Sequence, residues 1–278
     1  PADLPGGFAR VQLEQIDIAR RMIARYPERL AFAGTVDEVE RAMKEGRVAS
    51  LLGIEGGHAI ENSLGALRAY YDLGVRYMIQ ARVDMLVKPR IRDAMVRSGL
   101  DTVWLGVESG SQKVLDAMNK GIEVEKVRVA TRALQAAGVR VAFFLQFGYL
   151  GETREDIEQT LELVLELLPD EIGVSVSYPL PGTAFYDQVR AQMGDKTNWE
   201  HSDDLALMYR GTFSPEFYRR LHRYVHKRFQ AARGLAALGR LVRRPWRVDR
   251  RALRSAALTA YFAPASVVDA LRLKRLEA

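Results

Sequence analysis

The chain has 278 residues, 48% of them hydrophobic and 27% charged, with 22 Gly and 10 Pro, a balance that fits a globular protein and excludes a fibrous or mostly disordered one. It holds no cysteine, which excludes a disulfide, a thiolate-bound zinc and a cysteine-ligated iron–sulfur cluster. The net charge of +6 is unevenly spread: from Arg219 onward there are 16 Lys or Arg against 3 Asp or Glu, while the preceding residues sum to −7.

In chain order, VQLEQIDIARRMIARYP places Val11, Ile16, Ile18, Ile23 and Tyr26 as the apolar stripe of a helix that Pro27 ends. LAFAG reads as a strand. Thr35 stands three residues before Glu38, a capping box for the helix VDEVERAMKEG. VASLLGIEGG is the next buried strand, and SLGALRAYYDLG a helix capped by Ser63 and stopped at Gly74. VRYMIQARV reads as a strand, PRIRDAMVRSG as a helix and DTVWLGVESG as a strand. Two helical patterns, SQKVLDAMNKG and EVEKVRVATRALQAAG, meet at Gly121. VRVAFFLQFGY is strand-like, ETREDIEQTLELVLELLP is a long helix with an acidic start, and EIGVSVSYPLPG is the last core strand. Beyond Pro181-Gly182 the chain turns largely helical, with Pro245 and Pro264 dividing its last part.

Apolar strands alternating with longer amphipathic helices predict a parallel sheet covered by helices. The expected fold is α/β: a partial or open (β/α) barrel of about six parallel strands, followed by a basic helical C-terminal region. Six strands fall short of the eight of a closed barrel, and an open doubly wound sheet is the alternative. The predicted division is a barrel over residues 1–210 and a basic helical tail over 211–278.

The phrase ASLLGIEGGHAIENSLGALRAYYDLGVRYM carries a resemblance of residues 11–78 to the zinc-dependent membrane (renal) dipeptidases. That family implies a β/α barrel hydrolysing dipeptides with two zinc ions, with Glu55 in the role of the bridging carboxylate. The remainder of that ligand set is not matched: no His-x-Asp precedes Glu55, and IQARVD follows RYM where the family has a Thr-Leu-Thr-His-like run. The bland alternative for Glu55 is a strand-end carboxylate held by loop amides.

Residues 81–210 resemble the later barrel half of cobalamin-associated radical-SAM proteins, the anaerobic magnesium-protoporphyrin ester cyclase-like group. The resemblance rests on ARVDMLVKP, VWLGVESGSQKVLDAMNKG, FFLQFGYLGETREDIEQTL and VSVSYPLPGTAFY, in that order. It implies S-adenosylmethionine as cofactor, with Glu108, Ser109 and Gln146 near its methionyl or ribose part and Arg82 on its carboxylate or substrate side. The family's three-cysteine loop has no counterpart, and Leu150 replaces the usual proline of its GYPGET-like turn. Where the two resemblances meet, a hybrid of two barrel parts is expected. Both families are enzymes, yet neither brings a complete site, so a catalytically incomplete protein is the leading expectation. A radical-SAM family member or fragment and a weak dipeptidase-like metallohydrolase are the alternatives.

Loops at the ends of parallel strands collect functional groups, which adds Asp84 and Tyr178 to Glu55, Arg82, Glu108, Ser109 and Gln146. Arg82 and Asp84 share one side of a strand by the two-residue period and form either part of a site or a structural ion pair. GVESGS has the composition of an anion-cradling turn but neither a GxxxxGK nor a GxGxxG pattern. His222 and His226 share a helix face at i,i+4 spacing, among cations that oppose metal capture. In the tail, Leu235, Leu238, Leu241 and Val242 with Arg233, Arg240, Arg243 and Arg244 make a basic amphipathic helix, and Trp246, Tyr261 and Phe262 are interfacial anchors. Its expected partner is the acidic remainder of the chain or an anionic surface. Nucleic acid is disfavoured because no recognition motif is present. No run of eighteen apolar residues suits a transmembrane segment, and PADLPGGFAR is not a secretory signal. The cysteine-free composition fits a cytoplasmic location, with peripheral membrane association as the variant.

Overall fold

The structure is a computed structural model describing residues 7–54, 57–75, 78–97, 99–194, 205, 207–243 and 250–276. Its strands are β1 (Leu30–Phe32), β2 (Val48–Ser50), β3 (Met78–Ala81), β4 (Thr102–Glu108), β5 (Arg140–Phe147) and β6 (Glu171–Val176). β1 and β2 pair in parallel, Leu30 opposite Val48, and the remaining strands form a second sheet in the order β3-β4-β5-β6. β5 and β6 are parallel, with Phe144 opposite Gly173 and Gln146 opposite Ser175. This mixed α/β architecture with parallel sheets agrees with the partial β/α barrel expected from the strand–helix alternation.

The chain divides into two compact units, residues 1–80 with 88–103 and residues 81–87 with 104–278. The first holds α1 (Gly7–Arg25), α2 (Val36–Lys44), α3 (Leu64–Asp72) and α5 (Pro89–Arg97). Thr35 accepts from the Glu38 N–H while Glu38 reaches back to the Thr35 N–H, so the capping box is formed as read. Ser63 accepts from the Ala66 N–H at the start of α3, and Gly74 takes φ +91° just past its end. The core here is small: Ile16, Tyr70 and Val75 are buried, with Leu52, Ile54, Ile60, Ala66 and Leu73 against them. The expected α1 stripe is narrower than its apolar residues suggested. Ile16 is buried, whereas Ile18, two residues on and so on the opposite side of the helix, is exposed, as is Tyr26 just past the helix end.

The second unit holds α4 (Val83–Leu86), α6 (Gln112–Ala117), α7 (Val124–Ala136), α8 (Arg154–Leu167), α9 (Ala184–Val189), α10 (Pro215–Arg243) and α11 (Arg250–Leu276). One face of its sheet buries Leu105, Val107, Val141, Phe143, Leu145, Phe147 and Ile172. α7 packs on β5, α10 on β6, and α8 on both helices. Each fully buried aliphatic or aromatic side chain contributes about 1.5–3 kcal/mol, so this unit carries most of the apolar stabilisation.

Two local expectations change. Among the described residues of VRYMIQARV the strand is Met78–Ala81; at Arg82 the backbone caps α4, so Asp84 lies in a helical turn and not one strand period away. Pro264 does not divide the tail but sits inside α11. The contacts on both sides of it explain why. Asp269 on α11 is paired with Arg220 and Lys227 of α10, and Thr259 crosses α10 at Gly234, so the helix is clamped across the one backbone donor that proline lacks.

A methyl group on Gly234 would lie 1.7 Å from the Thr259 hydroxyl oxygen and 2.6 Å from the Ser255 carbonyl oxygen. The α10–α11 seam therefore runs through Ala231, Gly234 and Ala237, while Leu235, Leu238 and Val242 face outward. Arg233 donates to the Asp170 carbonyl at 2.6 Å, one of the contacts by which α10 packs on its unit. Among the described residues no helix is long and apolar enough to cross a membrane. Trp246, Arg244 and Pro245 lie outside the described residues.

Candidate functional site

Strand periodicity gives the second unit's sheet one less buried face, carrying Trp104, Gly106 and Glu108 of β4, Phe144 and Gln146 of β5, and Gly173 and Ser175 of β6. Trp104 stacks on Phe144 with ring centroids 4.6 Å apart. Gly173 leaves room for this pair, since a methyl group there would come within 3.1 Å of the Trp104 ring. Beyond these aromatics the face becomes polar. Gln146 is half-buried opposite Ser175, whose hydroxyl donates to the Leu145 carbonyl at 3.3 Å.

Glu108 closes β4 with φ +62°, a left-handed conformation that disfavours a side-chain-bearing residue. Its carboxylate accepts from Lys120 Nζ at 2.6 Å, in space left by the missing side chain of Gly106. Arg82 donates to the Lys120 carbonyl at 3.1 Å and pairs with Asp84 at 3.0 Å. The structure thus gathers Arg82 and Glu108 around Lys120, a residue that strand-end reasoning passes over because it lies after α6. The Arg82–Asp84 pair is the structural alternative raised from sequence, made through a helical turn. It is largely exposed and so contributes little stability.

Ser109 is fully buried and turned toward α8: its hydroxyl lies 3.1 Å from that of Thr160 and accepts from the Ser111 N–H. Gly110 donates to the Thr160 hydroxyl at 2.8 Å, and a methyl group on it would lie 2.5 Å from the Gln159 carbonyl oxygen. GVESGS is therefore a turn docked tightly on α8. Ser111 and Lys113 both donate to Asp156, at 2.7 and 2.6 Å, and Thr153 completes a capping box with it. Burial works against the Asp156 charge, but the bonds from Lys113, Ser111 and Thr153 outweigh it and hold the carboxyl below the usual range.

A second buried carboxylate was not singled out from the sequence, where Glu152 looks like part of a solvated acidic helix start. It is fully buried after a turn in which Gly148 and Gly151 have φ +86° and +77°. One oxygen accepts from the Gly148 N–H at 2.5 Å; the other has no hydrogen-bond partner among the described residues. Tyr209 donates to the Gly148 carbonyl at 2.6 Å, and the Tyr218 hydroxyl is buried without a partner among the described residues. Burial pushes Glu152 up to about 8; the Gly148 amide pulls the other way, the Asp156 charge adds to the rise and Lys113 opposes it. Burial likewise raises Tyr209 and Tyr218. The signal in GYLGETRED was the glycine on each side of the turn, which lets the chain fold back over its own glutamate.

The remaining candidates separate. Glu55 and His201 lie outside the described residues, and Tyr178 is half-buried after β6. His222 and His226 do approach, with ring centroids 4.5 Å apart, and burial followed by the neighbouring imidazole lowers His226. Among the described residues no three His, Asp or Glu side chains converge as a metal site would require.

Comparison with known proteins gives two kinds of likeness. Residues 7–138 match the sequence profile of the membrane dipeptidases (peptidase family M19). The dipeptidase verJ of Clonostachys rogersoniana is 49% identical over 69 residues, which are 25% of this chain and 18% of that protein. The chain therefore spans less than a fifth of this curated relative's length. Among solved structures, the cobalamin-dependent S-adenosylmethionine radical enzyme OxsB, with aqua-cobalamin and S-adenosylmethionine bound, is similar with a TM-score of 0.50 at 14% identity, covering 86% of this chain and 41% of that one. The archaeal Methanocaldococcus infernus Elp3 with an N-terminal deletion gives a TM-score of 0.47 at 17% identity, over 70% of this chain and 48% of that one. The chain thus resembles both groups read from its motifs, the dipeptidases in sequence and a radical-SAM enzyme in fold. The dipeptidase match extends to residue 138, well past residues 78–81, where the two resemblances were expected to meet, so the two likenesses overlap along the chain.

Proposed function

We propose that this chain is a catalytically incomplete hybrid, dipeptidase-like over residues 11–78 and radical-SAM-like over 81–210, with a basic helical region over 211–278. The observation that carries this reading is the state of the donor groups. Zinc hydrolysis needs three or more converging side-chain donors, and among the described residues no three His, Asp or Glu converge. Glu55, the carboxylate that the dipeptidase likeness offers as a ligand, lies outside the described residues, so the zinc part of this reading rests on the sequence, in which no His-x-Asp precedes Glu55. A cysteine-ligated cluster has no ligand at all in this sequence. The strand-end charges meet each other instead, Glu108 with Lys120 and Arg82 with Asp84. The likeness to dipeptidases equally supports the rival reading of a weak metallohydrolase, and both are decided by the same measurement. Zinc, iron and cobalt are quantified in purified protein, which is then assayed for dipeptide hydrolysis and S-adenosylmethionine cleavage. Neither turnover is expected. Stoichiometric metal with turnover abolished by Glu55→Ala or Glu108→Ala would overturn the proposal.

One observation favours a binding role that survives without chemistry. Glu108 holds a strained backbone at the edge of a half-open face, and the Gln146 amide on that face makes no side-chain hydrogen bond among the described residues. An S-adenosylmethionine-class ligand would use Gln146 and Glu108 for its ribose or methionyl groups and Arg82 for its carboxylate, with Ser109 fixing the turn beneath them. Calorimetric titration with S-adenosylmethionine tests this: saturable heat weakened by Gln146→Ala supports it, and no heat sinks it.

A further inference from the structure

The first unit contains a feature that neither resemblance uses. A cavity of about 780 Å³ opens between α3 and α5, walled by Leu67, Ile79, Ile91 and Met95 with Tyr70 at its base. α5 contributes no fully buried residue, and its Ile91, Ala94 and Met95 are half-buried along this space. The volume lies in the range, about 300–1,000 Å³, of pockets that hold small organic ligands. The polar part of the wall has one sign. Lys88, Arg90 and Arg97 border the cavity, and among the described residues no carboxylate lines it and these three side chains make no ion pair. The nearest acid on α5, Asp93, is engaged by Arg92 at 3.1 Å.

We infer that this pocket binds an amphipathic anion of the fatty-acid class, its acyl chain between α3 and α5 and its carboxylate among Lys88, Arg90 and Arg97. An apolar ligand without charge would leave the three cations unanswered, and a cationic one would be repelled by them. A hydrophilic anion would leave the apolar wall exposed to water. Only a ligand carrying both features satisfies both surfaces.

Isothermal titration of the full chain with sodium dodecanoate, below its micellar concentration, tests the inference. Saturable one-to-one binding is expected, with dodecyltrimethylammonium (the same tail with the opposite charge) at least ten-fold weaker. Arg90→Ala and Arg97→Ala should each weaken dodecanoate about two- to five-fold, as should raised salt, because the charges are exposed and screened. Ala94→Trp, which fills the cavity, should abolish binding. Should that variant fail to fold by circular dichroism, the exposed charge reversals Arg90→Glu and Arg97→Glu decide, since neither removes packing. Equal affinity for the two surfactants, unsaturable uptake, or binding indifferent to the arginines would overturn the proposal. So would self-association of the chain through this face that leaves dodecanoate unbound.

Discussion

Replacing Glu152 with glutamine gives the sharpest test of the second unit's packing. The carboxyl is fully buried and raised from 4.5 to about 8 in the folded chain. Its protonated form is thus favoured by folding: the stabilisation is complete below pH 4.5, declines as pH rises toward 8, and is gone above it. A displacement of that size, at about 1.36 kcal/mol per pH unit, corresponds to roughly 5 kcal/mol. Glutamine keeps the oxygen that accepts from Gly148 but adds a buried amide without an acceptor, a cost of about 1–3 kcal/mol at every pH. Glu152→Gln should therefore be less stable than the parent at pH 5, cross it near pH 6 and exceed it by about 2–4 kcal/mol at pH 9. Urea unfolding followed by Trp104 fluorescence, with Trp199 and Trp246 replaced by phenylalanine, reports on this unit directly. Taking the difference between parent and variant cancels His226 and every other group that titrates in both. Asp156, held low by Lys113, Ser111 and Thr153, loses its contribution only as pH falls below the ordinary aspartate range, outside this window. A stability difference that stays constant from pH 5 to 9 would refute the account of Glu152 as a buried, largely uncharged acid at neutral pH.

Gly110→Ala forces a methyl group to 2.5–2.6 Å from the Gln159 and Thr160 backbone and should cost about 3 kcal/mol or more in thermal unfolding, since no flexible side chain can yield. At Glu108, loss of the Lys120 pair is common to Glu108→Ala and Glu108→Gly, but glycine alone relieves φ +62°, so the glycine variant should be the more stable by about 1 kcal/mol in urea titration. Asp269→Asn leaves Arg220 and Lys227 without their shared carboxylate and should destabilise by about 2–4 kcal/mol. Because Asp269 is held below its ordinary value, burial being outweighed by Lys227 and Arg220, this difference should shrink as pH falls below 4, read as converging melting temperatures.

Local rules were legible wherever the deciding atoms are close in sequence. Thr35 with Glu38 and Ser63 with Ala66 are cap contacts three residues long, and both formed as their spacing predicted. β4, β5 and β6 announced themselves as apolar runs between helices, because a strand covered by helices excludes polar side chains on its packed face. The errors came where a distant partner overrode the local pattern. Pro264 breaks an isolated helix, yet α11 continues through it while Asp269 and Thr259 are held by α10. Of the two readings left open for the tail's amphipathic helix, packing through Leu235, Leu238 and Val242 is not what forms: they are exposed, and the close approach at Gly234 turns Ala231 and Ala237 inward instead.

The amino-acid order by itself determined which chemistries are closed to this chain, since donor atoms absent from a sequence cannot be supplied by folding: without cysteine there is no thiolate for a cluster or a metal. It also determined the strand–helix alternation and the two family likenesses. Only the tertiary structure decided what the charged and apolar groups do. Lys120 meets Glu108 from twelve residues away, Glu152 becomes an acid that resists ionisation, and Lys88, Arg90 and Arg97 come to border one apolar cavity. These outcomes depend on burial and on distances through space, and neither is a property of spacing along the chain.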